Sequence, residues 1–205
     1  MVKNKEIVDI PFDGGTLCLD YINTVHNRKD DPLPDFLHHI ADLTAWAHKV
    51  ELLDSRRERL LDGVAQSNLK KGELFFKNAI ALRELLYRLF YAITAKGKIN
   101  AADLEDFNQY LKTCLSRIQI KSEKTSFNES WNLAESEFDQ ITAPVVKDAY
   151  ALLLSDKLSR VKECPSCGWL FLDTTKNGKR RWCSMKSCGS NAKALEWYYR
   201  QKEST

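Results

Sequence analysis

The apolar positions of this chain repeat at helical spacing over most of its length. Phe75, Ala79, Leu82, Leu86, Leu89 and Ile93 recur every three or four residues, and Phe76, Ile80, Leu85 and Phe90 widen the stripe. A segment apolar on so much of its circumference predicts a central buried helix. Upstream, Phe36, Ile40, Leu43, Trp46, Ala47 and Val50 predict a helix with Asp35 as its cap, and a charged helix follows from Arg56 to Leu69. Downstream, Asn100 caps a helix through Leu104, Phe107, Leu111, Cys114 and Ile118. Pro144, tolerated in a first turn, opens a helix carrying Val145, Ala149, Leu152 and Leu153.

Between these helices the pattern changes. Ile7 to Ile10 reads as a short strand, and Leu17 to Val25 fits a strand or the start of a helix. His26 to Pro34 is a polar loop. The stretch after Ile118 admits a β-hairpin of Ile118–Lys121 with Ser126–Trp131. Near the C-terminus, Trp169, Phe171 and Asp173 alternate with Leu170 and Leu172, and Asn177-Gly178 predicts a hairpin turn back into Arg180-Arg181-Trp182-Cys183. A terminal helix runs from Ser190 to Gln201. The fold class expected is mainly α with small β elements: a helical N-terminal domain over residues 1–159 and a treble-clef-like four-cysteine zinc finger over residues 160–205. No linker separates the two, so the finger is expected to dock on the body.

Cysteine spacing gives the sharpest chemical signal. Cys164 and Cys167 enclose two residues, Cys183 follows after fifteen, and Cys188 after four more. Two close pairs across such a loop are a metal-ligand pattern, and four thiolates suit a structural Zn2+ with no open position for substrate. Gly168 lets backbone amides approach the sulfurs. The alternative of two disulfides needs an oxidising compartment, which nothing else in the chain suggests. Cys18 and Cys114 read as small buried hydrophobes.

Charge adds an asymmetry that the net value of +3 conceals. From Arg160 onward the chain holds ten Lys/Arg against four Asp/Glu, leaving 21 basic and 24 acidic residues before it. A basic zinc-bearing tail on a mildly acidic body is suited to a polyanion. Lys179, Arg180, Arg181, Lys186, Lys193 and Arg200, with Ser190 and Asn191, are the candidate nucleic-acid-binding residues. In the body, Asn23, Thr24 and Arg28 beside apolar neighbours, with Arg83 among leucines, are candidates for a small-molecule pocket. Helix capping and solvated arginine are the bland alternatives. The four histidines form no metal box, and no P-loop, dinucleotide fingerprint, nucleophile elbow or zincin motif occurs, so catalysis is not expected. The start lacks a signal-peptide pattern, and the richest apolar stretch is interrupted by Lys77, Arg83, Glu84 and Arg88; the expected location is cytoplasmic, without membrane partners.

The strings C-P-S-C-G-W-L-F-L-D and K-R-R-W-C-S-M-K-S-C-G-S-N-A-K-A, with the N-terminal L-C-L-D-Y-I-N-T-V and A-L-R-E-L-L on the central helix, resemble the bacterial family that joins an ABATE domain to a CGNR zinc finger. The resemblance spans essentially the whole chain. It implies a stress-related transcription regulator, with a zinc finger for DNA and an N-terminal domain that senses a ligand. DNA, a small molecule and a second copy of the chain in a homodimer are the partners expected on that basis. Where the family name has Cys-Gly-Asn-Arg, this chain has Cys188, Gly189, Ser190 and Asn191, so any contact made by that arginine is lost while the metal ligand is kept. A structural module for RNA or protein contact, and a small-molecule protein without DNA binding, remain open beside the regulator.

Overall fold

The computed structural model describes residues 5–203. A 3-10 turn at Lys5–Asp9 leads to a helix α1 (Leu17–Ile22), followed by α2 (Ile40–Lys49), α3 (Ser55–Ser67), α4 (Leu69–Thr94) and α5 (Ala101–Leu115). A hairpin of β1 (Ile118–Glu123) and β2 (Ser126–Trp131) comes next, then α6 (Asp139–Leu153). The zinc segment contributes β3 (Val161–Glu163), β4 (Leu170–Leu172), a single π turn at Met185–Gly189 and α7 (Ser190–Glu203). The architecture is mainly helical with short strands and a C-terminal four-cysteine cluster.

Helix α4 is the spine, as its broad apolar stripe predicts. Ala79, Leu82, Leu85, Leu86, Leu89 and Phe90 are buried, and α1, α2, α3, α5, β3 and β4 all pack on it. One hydrophobic core runs from Ile7 through the helices to Leu170, Phe171, Leu172 and Cys183. Burying about 1.5–3 kcal/mol per large apolar side chain makes these zinc-segment residues part of what stabilises the body.

Several expectations need correction. The stretch Ile7–Ile10 lies in and just after a 3-10 turn, where Lys49 Nζ donates to the carbonyls of Ile7, Val8 and Ile10 and no strand among the described residues pairs with it. Helix α2 starts at Ile40, not at Asp35. The Asp35 carboxylate is taken by Arg83, at 2.8 and 2.5 Å, and by the Leu37 amide, while Asp42 accepts from the His38 and His39 amides at the true start. Pro144 sits in the sixth position of α6 and forgoes the bond to the Gln140 carbonyl. The hairpin in the zinc segment is also different. Strand β4 pairs with β3, Val161 opposite Leu172 and Glu163 opposite Leu170, so the Cys164–Trp169 knuckle is itself the turn. The Asn177-Gly178 turn exists, with Gly178 at φ +59°, but the arm after it forms no ladder.

Candidate metal centre and nucleic-acid interface

The knuckle is built by a tight loop: the Cys164 amide donates to the Trp169 carbonyl at 2.8 Å and the Gly168 amide to the Cys164 carbonyl at 2.9 Å. Gly168 has φ +72°, and a Cβ there would meet the Arg28 Cβ at 2.7 Å, so conformation and close approach both demand glycine. The second pair arrives on the arm and on the π turn that precedes α7. The four sulfurs of Cys164, Cys167, Cys183 and Cys188 lie within 4.8 Å of one another, with Cys167–Cys183 at 3.6 Å and Cys183–Cys188 at 3.7 Å. A tetrahedron with Zn–S arms of ~2.3 Å has edges of ~3.8 Å, so the donor set fits Zn2+. Neighbouring thiols of Cys167 and Cys183 donate toward Cys164 and push its pKa down, which favours the thiolate that a metal requires. Bound there, Zn2+ is a structural cofactor that ties the arm to the knuckle.

The knuckle is clamped from below by residues 13–29. Asn23 Nδ2 donates to the Leu170 carbonyl at 2.8 Å and its Oδ1 accepts from the Leu170 amide at 3.1 Å, so one side chain completes the open edge of β4 as a strand would. Trp169 Nε1 donates to the Val25 carbonyl, the Arg28 amide to the Cys167 carbonyl and the Leu172 amide to the Gly14 carbonyl, each at 2.8 Å. Thr24 Oγ1 bonds the Tyr21 carbonyl and accepts from Arg83. Arg28 pairs with Glu84, donates to the Ile22 carbonyl and stacks over Tyr87; Arg83, 1% exposed, is held by Asp35 and Glu84. Burial works against the Arg83 charge, but the two carboxylates more than offset it and raise its pKa. The four residues singled out for a ligand are thus brought together, around internal partners. None of five concavities on the described residues has Asn23, Thr24, Arg28 or Arg83 in its wall.

The basic candidates divide in two. Arg180 turns inward: its guanidinium donates to the carbonyls of Asp13, Trp182 and Cys183 and lies 4.6 Å from the Phe171 ring centroid. It holds the arm and is withdrawn from the outer surface. Lys179, Arg181, Lys186, Lys193 and Arg200 are exposed, with Arg181 over the Trp182 ring. Ser190 Oγ donates to the Met185 carbonyl at 2.8 Å, which shapes the entry to α7, and Asn191 faces outward. Helix α7 leans on the π turn and carries exposed Leu195, Trp197, Tyr198 and Tyr199, each more than half accessible.

One organising residue escaped the sequence reading. Asp173, fully buried, accepts from Lys162 at 2.7 Å, from the Thr175 amide and hydroxyl, and from the Arg180 amide at 2.9 Å. Burial would raise its pKa, yet these donors hold it well below the carboxylate range. The Asp-Thr-Thr sequence, an aspartate two residues before a hydroxyl residue, was its available signal.

No helix of the described residues is long and apolar enough to cross a membrane. Residues 15–156 match the ABATE family, described as "Putative stress-induced transcription regulator", and residues 160–201 match the CGNR zinc finger. Neither description is that of an enzyme. No curated protein matches the chain.

Proposed function

The chain belongs to the ABATE family and carries a CGNR zinc finger, and from that premise we propose that it is a zinc-dependent DNA-binding transcription regulator. Residues 160–205 contact the nucleic acid, and residues 1–159 form a body that senses a small ligand. The observation that carries this reading is the outer face of the zinc segment. Lys179, Arg181 and Lys186 flank the knuckle, and α7 continues with Lys193, Arg200 and Lys202 between exposed aromatic side chains. Cations in such a row neutralise backbone phosphates with release of counterions. The clamp at Asn23 and Arg180 presents that face on a fixed platform, and ligand binding in the body alters the platform through α4, against which β3 and β4 pack.

Fluorescence anisotropy of zinc-loaded protein with duplex DNA across a salt series tests the proposal. Binding should weaken steeply with salt and fall at least tenfold in a Lys179/Arg181/Lys186→Ala variant, with Arg180 left in place. No binding at low salt would sink the DNA reading. The exposed aromatic residues also favour a second reading, stacking on unpaired bases of RNA. Tighter binding to a single-stranded RNA of matched length in the same titration would select it.

A further inference from the structure

A groove between α4, α5 and α6, on the body and away from the zinc segment, has features that the Asn23–Arg83 cluster lacks. Its cavity measures 290 Å³ and is floored by Ala79, Leu82, Cys114 and Val146. That volume lies at the small end of ligand sites. Around this apolar floor stand the Asn78 amide, the Tyr110 and Thr142 hydroxyls and the Asp139 carboxylate. Among the described residues none of these four side chains hydrogen-bonds to protein, in contrast to the saturated groups of Asn23, Thr24 and Arg83. The cationic group in the wall, Arg117, is already paired with Glu137 at 3.5 Å.

We infer that this groove is the ligand site of the body, taking a small molecule with a single-ring-sized apolar part and a hydrogen-bond-donating head, amine or N–H, directed at Asp139. The inference rests on the ligand-sensing half of the proposed function and is independent of its DNA half. The apolar part displaces water from Leu82 and Val146, while the head meets a carboxylate to which no donor among the described residues hydrogen-bonds. An anionic head is disfavoured, because Glu137 and Asp139 are neighbours and the Arg117 charge already faces both carboxylates. Burial raises the Asp139 pKa, against the smaller lowering influence of Arg117, consistent with a carboxylate that gains from a donor.

The test is an amide NMR titration of the full zinc-loaded chain with phenethylamine, indole and benzoate. Phenethylamine and indole should give saturable shifts centred on Ala79, Leu82, Cys114 and Val146. Asn78→Trp, a substitution at an exposed position that spans the mouth, should weaken both at least tenfold while leaving the rest of the spectrum unchanged. Asp139→Asn should weaken phenethylamine about tenfold, the cost of one charge-assisted hydrogen bond, and leave indole within about twofold. Absence of saturable shifts, shifts centred elsewhere, or binding that survives Asn78→Trp would overturn the site. Benzoate binding as tightly as phenethylamine would overturn the head-group assignment. Loss of DNA binding in the anisotropy experiment, with the probes still bound, would remove the DNA reading and leave this site standing.

Discussion

Residues 161–173 and residues 190–203 belong to one zinc segment, yet they meet the rest of the chain in opposite ways. The first stretch buries Leu170, Phe171 and Leu172 in the body's core and ties Leu170 to Asn23 by two hydrogen bonds. The second leaves Trp197, Tyr198 and Tyr199 more than half exposed on a helix that leans on the knuckle turn. Polar groups that the fold has already satisfied hold structure; polar and aromatic groups that it leaves open are available to a partner. A finger of this size cannot build a core alone, so its inner half borrows one and its outer half is displayed.

The largest expected effect comes from breaking the inner half. Removing zinc with a chelator, or replacing Cys164 by Ser, should destabilise the body together with the finger, since β4 lies in the shared core. A loss of several kcal/mol, seen as one lowered transition in far-UV circular dichroism, is expected. Two separate transitions, with the first confined to the finger, would contradict a shared core. Next comes the clamp. Asn23→Ala leaves the buried Leu170 amide and carbonyl without partners and should cost about 2–4 kcal/mol in urea unfolding.

A third test uses pH. Asp20 accepts from the Gly14 amide, and burial lifts its pKa to about 6 from 3.8. Its favourable contribution is therefore complete below 3.8 and lost as pH rises through about 6. Asp20→Asn should gain about 1–3 kcal/mol relative to the unsubstituted protein between pH 4 and pH 8, measured as the difference in urea midpoints. A difference that does not change with pH would rule out the buried carboxylate. The smallest effect belongs to the outer half: Trp197→Ala or Arg181→Ala should change stability by no more than about 0.5 kcal/mol.

The same contrast explains what the sequence disclosed. Helices α3 to α5, the body of α6 and the hairpin β1–β2 were legible because local periodicity and caps such as Asn100, which accepts from the Ala102 amide, decide them; α6 itself begins five residues before the Pro144 expected to open it. The four cysteines were legible because chelation at short spacing is local too. The start of α2, the partner of β4 and the role of Arg180 were not, because each depends on groups far along the chain: Asp35 on Arg83, β4 on β3 and Asn23, Arg180 on Asp13. Asn23, Thr24, Arg28 and Arg83 stood out as polar residues amid apolar ones. That pattern marks a satisfied clamp as readily as an open site, and only the partners tell them apart. The groove under α5 and α6 gave no motif, since Asn78, Tyr110, Asp139 and Thr142 come from three separate helices.

Hydrogen–deuterium exchange of the zinc-loaded protein, with and without duplex DNA, addresses the division of the zinc segment most directly. The expected result is slow exchange at residues 17–28 and 161–173 in both states, with new protection on DNA addition confined to residues 176–186 and α7. Exchange at 161–173 as fast as in α7 without DNA, or DNA protection that bypasses α7 and the arm, would contradict a clamped inner half and a displayed outer half.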